Sequence, residues 1–183
     1  MNCADVIRGG VNTPPRNVLI LGVGNLLLTD DGFGVHVINE LRNIPLPPNV
    51  ALIEAGIVSH QLIPELHGAD LLIFVDAVEA GDTPGSIFRF RPEDMRFMSQ
   101  LKTSLHEMSL MDVLLMTELT GKRPETVIIA VQPRDVRSCS MELNDEIKAA
   151  IPKVIDLILE ELRNRGLAPS PSPSPPLHAS RNR

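Results

Sequence analysis

The sequence predicts a single-domain, parallel α/β protein, and three observations carry this prediction. Short β-rich runs alternate with helical patterns along the chain, which is typical of parallel α/β architecture. The runs at 18–23 and 71–75 are continuously apolar, as expected of strands that are buried on both faces. A length of 183 residues suits one domain of ordinary size with tails.

The first half of the chain predicts two strands, each followed by a helix. The strand at 18–23 runs into glycine-rich residues. Apolar side chains then recur at spacings of three over 32–42, which predicts a short amphipathic helix that ends before Pro45. A second strand at 50–53 is followed by a short helix over 61–67.

The second half predicts three more strands. The most strand-like run, at 71–75, ends at Asp76, and the alternation at 86–90 predicts an edge or antiparallel strand. High apolar density predicts a helix over 108–119, and a further buried strand follows at 126–131.

The last predicted element is a helix over 145–165. Apolar residues recur along it at helical spacing, Asn144 is expected to be its N-cap, and Gly166 is expected to follow its last turn. Pro152 is expected to kink this helix.

The composition at the two ends of the chain differs from that of the middle. From residue 167 onward proline and serine alternate, a composition that cannot bury a core. We therefore expect a flexible leader at 1–16, a folded α/β domain at 17–166 and a disordered tail at 167–183.

Composition and charge exclude several classes of function. With 17 Lys and Arg against 23 Asp and Glu, and with five Phe as the only aromatic residues, the chain is poorly suited to bind nucleic acid. The longest apolar stretch, at 18–28, is interrupted by Asn25 and is too short to span a bilayer. Two cysteines, Cys3 and Cys139, form neither a disulfide framework nor a zinc ribbon. A cytoplasmic protein without a membrane segment is expected.

The glycines after the first strand allow a nucleotide-binding interpretation. A strand, the Gly22-x-Gly24 turn and a helix resemble a dinucleotide-binding unit. However, Leu27 occupies the third small position of that fingerprint, and Asp30 and Asp31 at the helix start would repel a phosphate. The nucleotide-binding hypothesis is therefore the weaker one.

Two acidic residues follow strands that are predicted to be parallel. Of the Asp30 and Asp31 pair, one is expected to cap the helix, which leaves the other at the carboxyl end of the first strand. Asp76 ends a strand of the same kind. If the two strands run parallel, Asp31 and Asp76 lie on the same rim of the sheet, although Asp76 alone is equally compatible with a role in turning the chain.

His106 is the histidine that could join these acids, because it lies just before the predicted helix 108–119. A histidine in that position is more often packed than ligating. If it faces the rim, two carboxylates and one imidazole form a set suited to zinc, nickel or manganese, with positions open for water or substrate. Spacing along the sequence does not decide between these alternatives.

These motifs together resemble the hydrogenase maturation endopeptidases. The resemblance rests on Leu21-Gly22-Val23-Gly24-Asn25 with Asp30-Asp31-Gly32-Phe33-Gly34, on Phe74-Val75-Asp76-Ala77 and on Ser104-Leu105-His106, in that order, and it covers about 17–166. It implies a twisted, mostly parallel five-stranded sheet sandwiched between helices. It also implies a metal-dependent, aspartic-type endopeptidase of the cytoplasm.

The resemblance further implies a substrate and a site. The substrate would be the precursor of the nickel-iron hydrogenase large subunit, whose C-terminal peptide is removed after nickel insertion. Asp31, Asp76 and His106 match the metal-contacting positions, and nickel carried by the precursor, or another divalent ion in its place, would be the metal. A monomer is expected.

Two questions stay open at this stage. Many relatives have Asp-Gly-Gly-Thr where this chain has Glu54-Ala55-Gly56-Ile57. This loop is expected on the same rim, where it would help to choose the substrate, so the hydrogenase that is processed is not identified. The same three side chains would also serve a non-catalytic, nickel-dependent module that binds the precursor without cutting it.

Overall fold

The computed structural model describes residues 17–56, 60–97 and 105–167, so the expected leader and nearly all of the expected tail lie outside it. Within these ranges, five strands form one sheet. They are β1 (Val18–Val23), β2 (Val50–Gly56), β3 (Leu71–Ala77), β4 (Ile87–Phe90) and β5 (Glu125–Val131). The spatial order is β2-β1-β3-β5-β4. All pairings are parallel except that of β4 with β5, which is antiparallel, as the alternation at 86–90 predicts.

The helices follow the predicted order with one correction. They are α1 (Phe33–Leu41), α2 (Ile63–Gly68), α3 (Leu105–Thr120), α4 (Asp145–Lys148) and α5 (Ile151–Asn164). The prediction of a single helix over 145–165 is wrong, because the helix is interrupted between α4 and α5. Pro152 lies in the first turn of α5, where its missing N–H is not needed, and so a new helix starts there.

Helices cover both faces of the sheet, which confirms the predicted sandwich. Ile20 and Ile73 belong to a core cluster with residues of α1 and α5. Their neighbours on the strands, Leu21 and Phe74, belong to a second cluster that includes Leu114 of α3 and Leu66 of α2. Since successive side chains of a strand point to opposite faces, β3 directs Asp76 to the same face as Phe74, the one that α3 covers.

The strand order creates a crevice at one end of the sheet. Strand β2 lies on one side of β1, and the next strand in the chain, β3, lies on the other side of β1. In open α/β sheets, ligands bind outside the carboxyl ends of strands at such a reversal. The crevice is therefore expected where β1 and β3 end. No helix among the described residues is both long and apolar enough to cross a membrane.

Candidate active site

Asp31 lies at the carboxyl end of β1, in a short 3-10 helix over Thr29–Gly32 that leads into α1. Its side chain is buried, and its Oδ2 accepts a 2.9 Å hydrogen bond from the backbone N–H of Asn25. The carboxylate is thus held against the turn that follows β1.

Gly24 makes this tight turn possible. Its φ is +132°, and a Cβ built there would lie 1.6 Å from the carbonyl oxygen of Asp31. A side chain at this position would therefore collide with the backbone of Asp31. The glycine motif that invites a nucleotide-binding interpretation serves here to let two stretches of backbone approach each other.

Asp30 has a different role from the one expected of a helix cap. Neither the 3-10 helix nor α1 has a side-chain cap. Instead, the fully buried carboxylate of Asp30 accepts hydrogen bonds, all of 2.9 Å, from the backbone N–H groups of Arg134, Asp135 and Asn144 and from Nδ2 of Asn144. These donors lie in the loop at 132–144 between β5 and α4, hereafter the β5–α4 loop.

Asp76 is the penultimate residue of β3 and is 1% exposed. Its Oδ1 accepts a 2.8 Å hydrogen bond from the backbone N–H of Ala77. It pairs in register with Ala130 of β5, in the middle of the sheet. A carboxylate in such a position is costly unless polar or cationic groups compensate it, which favours a functional role over a simple turn.

The start of α1 joins the segments that carry the two acids. Gly34 lies so close to the ends of both strands that a Cβ there would be 2.3 Å from the Val75 carbonyl oxygen and 2.4 Å from that of Val23. The 3-10 helix that contains Asp31 also contacts β3. The structure thus brings Asp31 and Asp76 to the same rim, as their positions after parallel strands predict.

His106 lies in the first turn of α3, and its side chain is outside what the structure describes. The helix that carries it packs through Val113 and Leu114 on the face of the sheet to which Asp76 points. Among the side chains that are described, no three His, Cys, Asp or Glu residues could hold a metal ion together. His106 is not among those side chains, and the role of the trio stays a prediction.

A pocket lies beside the turn after β1, where the loop at 54–57 is expected on the rim, although the pocket itself was not predicted. It has a volume of about 450 Å³ and is lined by Gly24, Asn25, Leu26, Val35, Glu54, Ala55 and Gly56. Glu54 forms an ion pair with Arg42 at its edge. The carboxyl end of β2 lies on the same rim as Asp31, as expected for parallel strands.

Gln132 is a residue near the rim that was not predicted from the sequence. Its Oε1 accepts hydrogen bonds from the backbone N–H groups of Ala80 and Asp82, at 2.8 and 3.2 Å. These donors lie in the loop that follows Asp76, so the side chain fixes the chain on that side of the rim. Its position directly after β5 is the signal in the sequence, since polar residues at the carboxyl ends of parallel strands face the crevice.

Two acids in or next to the β5–α4 loop have altered ionisation. Hydrogen bonds from the Ser138 side chain and from the backbone N–H groups of Arg137 and Ser138 lower the pKa of Asp135. A hydrogen bond from its own backbone N–H, together with the Arg134 side chain, lowers the pKa of Glu146. Both carboxylates therefore favour the charged state in the folded protein.

Comparison with known proteins gives a consistent result. The family model for hydrogenase maturation proteases matches residues 35–161. The hydrogenase expression/formation protein HupM of Azotobacter chroococcum is 34% identical over 158 residues, which cover 85% of this chain and 76% of HupM.

Solved structures agree with the sequence matches. The hydrogenase maturating endopeptidase HybD from Escherichia coli superposes with a TM-score of 0.76 at 30% identity, over 83% of this chain and 95% of HybD. The NiFe hydrogenase maturation protease HybD from Thermococcus kodakarensis gives a TM-score of 0.68 at 27% identity, over 80% and 98% of the two chains. The chain therefore belongs to the hydrogenase maturation protease family and is an endopeptidase.

Proposed function

We propose that the protein removes the C-terminal peptide from the precursor of the nickel-iron hydrogenase large subunit once nickel is in place. Asp31, Asp76 and His106 would contact the nickel that the precursor carries. The observation that carries the proposal is the shared position of Asp31 and Asp76 on the crevice between β1 and β3, in a chain of this family.

The chemistry of the donor set supports a divalent ion. Two carboxylates and one imidazole supply oxygen and nitrogen ligands of the kind that nickel, zinc and manganese accept. Both carboxyl groups are buried on one rim, and a cation bound between them would compensate the cost of burying their charge. When bound, such an ion polarises a carbonyl group. Asp31 and Asp76 would determine where on the rim the ion lies.

We propose that the pocket beside the rim binds the part of the substrate chain that lies next to the cleaved bond. It is open to solvent, it adjoins the turn that holds Asp31, and Glu54, Ala55 and Gly56 line one side of it. Because this loop differs from the Asp-Gly-Gly-Thr of many relatives, we propose that Glu54 contributes to the choice of precursor. The ion pair with Arg42 holds its carboxylate in position.

The experiment uses purified large-subunit precursor, loaded with nickel or nickel-free, and follows its mass after incubation with the protein. The expected result is loss of the C-terminal peptide from the nickel-loaded precursor and an unchanged nickel-free precursor. An intact nickel-loaded precursor, in a mixture that a known maturation protease can process, would count against the proposal. Capture of the precursor without cleavage would favour the non-catalytic binding module instead.

A further inference from the structure

Asp31 lies in a segment whose backbone has an unfavourable conformation. Thr29, two residues before it, has a φ of +45°, which is unusual for a β-branched residue. Such a conformation persists only where the surroundings hold it. The β5–α4 loop supplies these contacts: Thr29 Oγ1 donates to the Ser138 carbonyl oxygen at 2.7 Å, and the Thr29 backbone N–H donates to that of Ser140 at 2.8 Å.

Asp30 provides the central connection between this segment and the β5–α4 loop. Its backbone N–H donates to the carbonyl oxygen of Asp135 at 3.0 Å, and its carboxylate accepts four hydrogen bonds from Arg134, Asp135 and Asn144. The residue is 0% exposed. A buried carboxylate with four donors is a rigid anchor, because no other conformation satisfies the same groups.

We infer that Asp30 is a positioning residue for catalysis, which acts by fixing the direction of the Asp31 side chain. The inference rests on the proposed function for the role of Asp31. The hydrogen bond from the Asn25 N–H to Asp31 Oδ2 is then a local result of this anchoring, because it joins the turn after β1 to the 3-10 helix that Asp30 holds in place.

The substitution Asp30→Asn tests the anchor with little change in volume. Oδ2 receives three of the four donors, and Oδ1 receives the N–H of Asn144. An asparagine that keeps its oxygen at the first position places its amide group against that N–H, so two donors meet. The geometry of the anchor is thereby lost.

Glu161→Gln is the matched control. Glu161 is also a buried carboxylate with several polar partners, Arg89 and Arg165, but it lies on α5, away from the rim. Both substitutions remove one buried charge. A difference between the two variants therefore reports position and not burial.

Two readouts are measured at one fixed pH: kcat and KM for cleavage of the nickel-loaded precursor, and the NMR shift and hydrogen exchange of the Asn25 amide. In Asp30→Asn we expect kcat to fall about a hundredfold, with a smaller change in KM, and the Asn25 amide to shift and to exchange faster. In Glu161→Gln both readouts should stay at wild-type values. A wild-type Asn25 amide in Asp30→Asn, or an equal loss of kcat in Glu161→Gln, would overturn the inference.

A milder variant covers the case in which Asp30→Asn does not fold. Asn144→Ala removes only the Nδ2 donor, and because the Asn144 side chain does not cap α4, the helix is not uncapped. It should change the Asn25 amide in the same direction by a smaller amount, and no change would contradict the inference. If the wild-type protein does not cleave the precursor, the proposed function fails, but the Asn25 amide still decides whether Asp30 positions Asp31.

Discussion

Gly34 lies so close to Val75 that a Cβ on the glycine would come within 2.3 Å of the valine's carbonyl oxygen. The same Cβ would come within 2.4 Å of the Val23 carbonyl oxygen. Helix α1 therefore starts directly on the carboxyl ends of β1 and β3. This contact sets the position of Asp31, three residues earlier, relative to Asp76, one residue after Val75.

Gly34→Ala should destabilise the protein, because the obstructing atoms are backbone atoms of two central strands. We expect the free energy of unfolding to fall by about 3 kcal/mol, the upper part of the range for overpacking. For a chain of this size that lowers Tm by about 6–12 °C. Thermal unfolding followed by circular dichroism measures this change.

Gly68→Ala is the matched control for that substitution. Gly68 ends α2, and nothing lies within 4 Å of the Cβ position. Alanine there should leave the stability unchanged or raise it slightly, by about 0.5–1 kcal/mol. Equal losses in the two variants would contradict the close packing of α1 against the strands.

Gly24→Ala should disturb both the site and the fold. The Cβ would meet the carbonyl oxygen of Asp31 at 1.6 Å, and the φ of +132° is unfavourable for alanine. We expect the rate of precursor cleavage to fall about a hundredfold, because the turn that holds Asp31 must move. In Gly81→Ala, where φ is +75° and no atom lies near the Cβ, the cost should be about 1 kcal/mol of stability, with cleavage retained.

Asp76→Asn should strongly reduce the rate of cleavage and leave the structure intact. The asparagine oxygen can still accept the hydrogen bond from the Ala77 N–H, but the charge at the end of β3 is lost. We expect cleavage to slow by about a hundredfold or more, while Tm stays close to that of the wild type. A variant that cleaves the nickel-loaded precursor at the wild-type rate would remove Asp76 from the site.

Asp135 and Glu146, whose pKa values are lowered, should make the folded protein less stable in acid. Their pKa values are lower in the folded chain than the ordinary 3.8 and 4.5, so both contribute stability above those values. This stability is lost as the pH falls below about 4.5 and through the folded-state values. Tm measured from pH 7 to pH 3 should fall more steeply in the wild type than in an Asp135→Asn, Glu146→Gln double variant. Parallel curves would contradict the prediction.

Much of the fold follows from local patterns in the sequence. The buried run Val18–Val23 predicts β1 with its observed bounds, because a strand covered on both faces is apolar at every position. The alternation around Ile87–Phe90 similarly identifies the antiparallel edge strand. The break between α4 and α5 was missed, since the apolar spacing continues across it and only Pro152 marks the new start.

The site is less visible in the sequence because its contacts are long-range. Parallel strands were enough to place Asp31 and Asp76 on one rim. The partners of Asp30 are more than one hundred residues away along the chain, in a loop with no regular pattern, and no local signal separates Asp30 from Asp31. The expectation that one of them caps a helix was therefore wrong, and the assignment of Asp31 to the metal stays a prediction.

We propose that Asp31, Asp76 and His106 together bind one divalent ion. Anomalous diffraction at the nickel edge, from crystals of the protein grown with nickel or with a nickel-loaded precursor peptide, tests it most directly. We expect one ion in the crevice between β1 and β3, with an oxygen of each aspartate and a nitrogen of His106 about 2 Å from it. Side chains of the three residues too far apart to share an ion, with nickel bound elsewhere, would contradict it.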